Sequence, residues 1–427
     1  MRQLRLHAFE MNTVGHIQQG LWRHPRDQSR HYTRLDHWVS LARTLERGLF
    51  DGLFLADVLG TYDVYGGSPE AALRGAVQVP ANDPLLLIPA MAHATRHLGF
   101  AVTANIAAEH PFVFARRMST LDHLTAGRIG WNVVTGYLES AARALGLPRQ
   151  PGHDARYDAA DAFLAAARDL WLTSWEDGAV LRDRAAGIYT DPARVRPVTA
   201  SGPGWSLHGI HLSEPSPQRV PVIYQAGASG RGRRFAAEHA ECVFVNATTK
   251  PQVARLVADL RAQAASLGRR LLVFMGATVV VSTTAAAAHA KHAEYEAYAS
   301  PEGALVHSAG SMGIDFAALP QDAPILAPAT QAILSNVEAL GGTTKRAFIN
   351  SLSLGGRQPP IVGAPAEVAD ALIAWSEAAD LDGFILARTV TPECFVDFVD
   401  LVVPELQSRG AYKTAYAPGT LREKLFT

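Results

Sequence analysis

EHPFVFARRMSTLDHLTAGRIGWNVVTGYLESAARALG, residues 109–146, is the stretch whose reading decides the fold. Phe112, Ala115, Met118, Leu121 and Leu124 recur at helical spacing and predict a helix over 112–124. Ala126-Gly127 then breaks the helix. Arg128 to Val134 is mostly apolar with little alternation, as a strand covered on both faces should be. Two polar side chains, Asn132 and Thr135, stand at its C-terminal end, followed by a polar exit loop. Helix, turn, strand and exit loop make one unit of a β/α barrel, and ligands bind at that end of parallel barrel strands.

The same alternation runs through the chain. Strands are expected at 4–11, 52–56, 99–103, 128–134, 220–225, 242–246, 271–281 and 383–387. Helices are expected at 32–47, 84–95, 112–124, 157–171, 231–239, 252–267, 285–298 and 392–401. Eight strand–helix pairs favour an α/β fold of the closed (β/α)8 TIM-barrel type over an open sheet. Such a barrel needs roughly 250 residues, which leaves roughly 180 of this chain for additions. They are expected as insertions in a single domain spanning 1–427. One is a Gly/Tyr-rich excursion near 57–82, one a Gly-, Pro- and Arg-rich stretch near 176–218, and one a long segment near 300–360. Long insertions at the C-terminal face build or cover active sites. The tail after Pro404 reads as an arm packing on the barrel or on a neighbouring subunit.

Composition narrows the function. The chain is 48% hydrophobic and 19% charged, with a formal net charge of −1, which suits a globular protein with a large core. Neither a nucleic-acid nor an acidic-membrane footprint is present. The two cysteines, Cys242 and Cys394, lie in or beside apolar segments and read as buried thiols in a reducing, cytoplasmic setting. MRQLRLHAFEMN lacks the apolar core of a signal peptide. No apolar run reaches the ~18 residues that span a bilayer.

Several residues can carry chemistry. In YQAGASGRG, residues 224–232, small residues leave a strand and open a helix. Gly227, Ala228 and Ser229 there let backbone N–H groups approach a phosphate, although a tight turn needs the same glycines. The Gly-x-x-Gly-x-Gly order is not the dinucleotide fingerprint. Asp57 closes the second strand, and Thr103 and Asn105 close the third; each serves either a ligand or a loop cap. His16 follows the first strand as a structural group or a catalyst. Asp122 and Arg128 flank the turn at the opposite end of the barrel and read as a structural ion pair. His289, His292, Glu294 and Glu296 read as a solvated helix face, and no metal site is expected.

The segments HPFVFARRMSTLDHLTAGRIGWNVVT, MNTVGHIQQGLWRHP, FLAD, QVPANDP, YQAGASGRG and MGIDF resemble a family of two-component flavin monooxygenases. That family contains the large components of the nitrilotriacetate, dibenzothiophene-sulfone, pristinamycin and long-chain alkane enzymes, within the bacterial-luciferase-like superfamily. The resemblance spans about 4–401. It implies a barrel enzyme that takes reduced FMN from a separate NAD(P)H:flavin reductase. With O2, the enzyme oxygenates a small organic substrate through a C4a-(hydro)peroxyflavin. Flavin contacts are implied at Ala56, Asp57, Thr103, Asn132, Thr135, Tyr157, Ala228 and Ser229. A substrate pocket is implied at His16, Tyr62, Gln78, Asn105 and His307. Among these, Asn105 and Asn132 would bond the ring edge or the oxygen, and His16 or His307 would move a proton. Homo-oligomers, dimers or tetramers, are usual for the group. A deazaflavin-dependent oxidoreductase of the same superfamily, and a flavin-binding barrel without turnover, are the competing readings.

Replacing Ser229 by Asp sets a negative charge against the phosphate, so FMN binding to Ser229→Asp is expected to weaken. Unchanged affinity in a titration removes the phosphate assignment.

Overall fold

The computed structural model describes residues 3–227, 229–326, 342–352, 354 and 359–427. Eight parallel strands form its frame: β1 Arg5–Met11, β2 Gly52–Ala56, β3 Gly99–Asn105, β4 Ile129–Val134, β5 Val222–Gln225, β6 Cys242–Val245, β7 Leu272–Val281 and β8 Gly383–Ala387. Neighbours pair in chain order from β1 to β8, and β8 pairs back with β1 and so closes the cylinder. This is a TIM barrel. Every strand pair is parallel, which requires the helical crossovers that the sequence pattern supplied.

The deciding stretch folds as read. Its helix runs Pro111–Leu124, started by Pro111 with the His110 ring accepting from the Phe112 N–H. Ala126 and Gly127 take positive φ at the break. The ion pair expected beside that turn does not form. Asp122 instead accepts from the Gln218 backbone N–H at 2.7 Å and from its side-chain amide at 2.8 Å. The Arg128 guanidinium donates to the carbonyls of Ala92, Thr95, Leu98 and Thr125. Both groups are buried, and each is satisfied by other partners, Asp122 by Gln218 and Arg128 by main-chain carbonyls.

Side chains fill the cylinder from below. His7, Phe54, Ala101, Val222, Tyr224, Cys242, Leu272, Phe274 and Ile385 pack together, and Leu421 and Leu425 of the terminal helix Leu421–Phe426 join them from underneath. The tail is therefore an arm packed on the barrel. Arg422 clamps it to Glu241 at 2.6 Å, and Arg5 donates to the Leu425 carbonyl at 2.7 Å. Above this layer Phe9, Ala56 and Phe244 are only half-buried.

The 57–82 addition follows the end of β2, the 176–218 stretch leads into the start of β5, and the third lies between helix Ala285–Glu296 and β8. Residues 57–82 hold a short helix, Glu70–Gly75. The 176–218 stretch holds two antiparallel hairpins, Val180–Asp183 with Ile188–Thr190 and Val198–Gly202 with Trp205–Gly209. Helix Pro301–Met312 opens the third. Helix Pro365–Ala379, missing from the expected set, follows it. Among the described residues no helix is long and apolar enough to cross a membrane.

Leu425 is fully buried against the barrel floor. Leu425→Ala is expected to cost about 2–5 kcal/mol, the usual range for a core leucine. The unfolding midpoint in urea should fall accordingly.

Candidate functional site

The register of the strands brings three groups of side chains to the C-terminal rim. The first sits on β3 and β4. Thr103 and Asn132 are register partners, and the Asn132 amide donates to the Thr103 hydroxyl at 2.9 Å. Its carbonyl oxygen Oδ1 is buried and meets no protein partner. A buried acceptor left open is costly, so this one is poised for a donor from a ligand. Thr135 and Asp57 stand half-buried nearby in sequence terms, each just past its strand. Burial, aided by Asp83, pushes the Asp57 carboxyl up to about 6. Asn105 turns to local duty: its oxygen accepts from the Ala107 N–H at 3.0 Å and caps a short turn. Its amide nitrogen lies close enough to Gly136 that a Cβ there would approach it to 2.8 Å.

The second group follows β5. Ser229 caps helix Gly230–His239 and accepts from the Gly232 N–H at 3.0 Å. The Tyr157 hydroxyl bonds with Ser229 and with the Gln225 amide. A Cβ at either Gly227 or Gly232 would come within 2.7 Å of that hydroxyl. The glycines are thus required by close approach to Tyr157, as well as by any ligand. Burial raises the Tyr157 pKa, so the hydroxyl stays protonated. Ala228 lies outside the described residues.

The third group joins four residues far apart in sequence. The Tyr62 hydroxyl donates to the Gln78 carbonyl oxygen at 2.9 Å, and the Gln78 amide nitrogen lies 3.3 Å from His307 Nε2 and 3.5 Å from the His16 carbonyl. Gln78 holds a left-handed backbone, φ 53°, of the strained kind found at functional sites. Sequence reasoning missed Tyr137, whose hydroxyl is 2.6 Å from that of Tyr62. Its one signal was position, two residues beyond Thr135. The His16 ring packs edge-on to Phe9 at 4.5 Å. Burial holds its imidazole well below the usual histidine range, and the charges of Arg388 and His307 act in the same direction.

A buried ion pair anchors the loop that carries His16. Arg388, just past β8, pairs with Glu10 of β1 at 2.9 Å and also donates to the carbonyls of Thr13 and Val14. Burial pushes the Glu10 carboxyl up while Arg388 opposes it.

A family profile described as luciferase-like monooxygenase matches residues 17–381. The chain belongs to the luciferase-like monooxygenase family. It is 47% identical over 433 residues to the dimethyl-sulfide monooxygenase of Hyphomicrobium sulfonivorans, covering 99% of this chain and 90% of that one. It is 48% identical over 428 residues to the long-chain alkane monooxygenase of Geobacillus thermodenitrificans strain NG80-2, covering 100% and 94%. The solved structure of a riboflavin lyase with modified FMN and riboflavin superposes at TM-score 0.95, with 36% identity, over 100% of this chain and 96% of that one. The resemblance drawn from the sequence motifs therefore holds. FMN, the cofactor of these luciferase-like enzymes, fits what the rim offers. Asn132 Oδ1 is an open acceptor for a ring N–H, and the Tyr157–Ser229–Gly227 cradle stands at a helix N-terminus where a phosphate is favoured.

The buried histidines set a pH dependence. His7 is lowered by burial from 6.5 to about 4, and His16 is lowered as well. Below pH 6.5 the unfolded chain takes up protons that the folded chain refuses. The histidines' share of the stability is therefore complete above that value and falls as the pH drops, down to about 4 for His7, by up to about 1.4 kcal/mol per pH unit per histidine. His16→Asn should flatten the fall by one proton's share, measured as urea-unfolding free energies at pH 7 and pH 5.

Proposed function

We propose that this protein is the oxygenase component of a two-component flavin monooxygenase. It takes reduced FMN from a separate NAD(P)H:flavin reductase and, with O2, oxygenates a small organic molecule. The observation that carries the reading is the open acceptor of Asn132 sharing one barrel rim with the Tyr157–Ser229 cradle and the His16–Gln78–His307 cluster.

Bound reduced FMN supplies the two electrons that let O2 give one oxygen atom to the substrate and the other to water. The chain's own residues do the rest. Gly227, Ala228, Ser229 and Tyr157 bind the phosphate through N–H and hydroxyl donors. Asn132, Thr103, Thr135, Ala56 and Asp57 hold the ring system, Asn132 through its carbonyl oxygen. Asn105, its oxygen taken by the turn, offers only its amide N–H. His16 is neutral and able to take a proton, and His307 stands ready to move one. Phe9, Phe54 and Phe244 give the rim an apolar floor that excludes water. Tyr62 and Gln78 shape the substrate side.

The three excursions are read as parts of one domain, that at 57–82 and the one at 300–360 covering the rim; residues 327–341, 353 and 355–358 of the latter lie outside the described residues. The hairpins of 176–218 expose Leu181, Ile188, Tyr189 and Leu212. That apolar surface supports a homodimer or homotetramer. Two cysteines with free thiols suit the cytoplasm.

The test supplies reduced FMN anaerobically, then admits 18O2 with candidate substrates. Flavin-dependent uptake of O2 and one labelled oxygen in the product are expected. Product formation without label, or no O2 uptake, overturns the proposal in favour of a deazaflavin-type hydride transfer or a barrel without turnover.

A further inference from the structure

Two side-chain amides converge beside Gly136 on the rim. Asn105 ends β3, and its oxygen accepts from the Ala107 N–H at 3.0 Å. An amide has one accepting end and one donating end, so the Asn105 nitrogen is turned away from that turn. Gln150 lies on the loop between helices Glu139–Ala144 and His153–Leu172, and its backbone N–H donates to the Glu139 carboxylate at 2.9 Å. Gly136 stands directly after Thr135 and directly before Tyr137. A Cβ built on it would lie 2.8 Å from Asn105 Nδ2 and 3.1 Å from Gln150 Nε2. Both nitrogens are therefore within hydrogen-bond reach of one place.

Among the described residues, neither nitrogen donates to a protein acceptor. Gln150 is only 7% exposed, and a buried donor without an acceptor is costly. Gly136 has φ 74°, in the left-handed region that favours glycine. It sends no side chain between the two donors, and any other residue there would. The place borders both halves of the rim. Asn105 follows Thr103 by two residues and so shares its face of β3, while Tyr137 meets Tyr62.

We propose that Asn105 and Gln150 form a two-donor seat over Gly136 for one neutral oxygen acceptor, either a ring carbonyl of the flavin or a carbonyl or sulfoxide oxygen on the substrate. Two N–H groups aimed at one place suit a single oxygen with two lone pairs. The Glu139 carboxylate at the Gln150 backbone makes a carboxylate a poorer occupant than a neutral oxygen. The flavin source rests on the proposed function of the same rim; the substrate source does not need it.

Two variants test the seat. Asn105→Asp keeps an oxygen to cap the turn and changes only the donating atom. Gln150→Leu removes the second donor at similar volume, with Gln150→Met in its place should that variant fail to fold. Titration of each protein gives its dissociation constants for oxidised FMN and, anaerobically, for reduced FMN. Calorimetry gives those for dipropyl sulfoxide and dipropyl sulfide. Loss of one donor is expected to weaken the seated molecule by about 5- to 10-fold, the worth of one hydrogen bond, and in both variants alike. A fall of that size in FMN affinity assigns the seat to a flavin carbonyl. A fall in the ratio of sulfoxide to sulfide affinity assigns it to a substrate oxygen. FMN affinity and ratio both unmoved, or a fall in one variant only, overturn the proposal. Wild-type protein that binds no flavin would end the proposed function, and the sulfoxide ratio would then decide the seat alone.

Discussion

The interior of an eight-stranded barrel must be filled, because its inward side chains have no other surface to pack against. Here the filling proceeds from Leu421 and Leu425 through Cys242, Leu272, Phe274 and Tyr224 to Phe54. There most of the large residues give way, Phe9 and Phe244 excepted. At the next level the inward positions hold Ala56, Thr103, Asn132 and Gly276, and a Cβ on Gly276 would strike the Asn246 side chain at 2.5 Å. Small and polar residues in that layer leave the rim with unsatisfied hydrogen-bonding capacity instead of a sealed core. The site exists where the packing stops.

The rim is held open in a fixed shape by charge as well as by packing. Glu10 and Arg388 lie 378 positions apart, one on β1 and the other just past β8, neighbours only because β8 returns to β1. Their pair closes the cylinder at its upper edge and ties down the loop bearing His16. A buried ion pair adds little net stability. Its use here is geometric: one guanidinium fixes a carboxylate and two carbonyls at once, so His16 leaves β1 along a single path.

Strands were legible where burial on both faces left an uninterrupted apolar run. Gly52–Ala56 and Gly383–Ala387 fell where expected. The rim residues were legible because polar side chains interrupt such runs at one end only. Helix Pro365–Ala379 was overlooked although Val368, Leu372 and Ala379 keep helical spacing. It has Pro365 at its first turn, which reads equally as a loop residue. The Asp122–Arg128 pair failed for another reason. Opposite charges six positions apart look like partners, yet each is taken up by groups that only the folded chain brings in, Asp122 by Gln218 and Arg128 by main-chain carbonyls. Tyr137 was beyond reach because its meaning lies wholly in a contact with Tyr62, 75 positions away.

The left-handed backbone of Gln78 bears on how such a pocket can diversify. A residue other than glycine in that conformation is already under strain, and its amide is matched to three neighbours at once. Almost any exchange there sacrifices either the backbone or the contacts, so the position is a poor place for new specificities to arise. Tyr137 sits on an exit loop and meets the cluster through the Tyr62 hydroxyl. Directed evolution toward other chemistries would gain more by randomising position 137 than position 78.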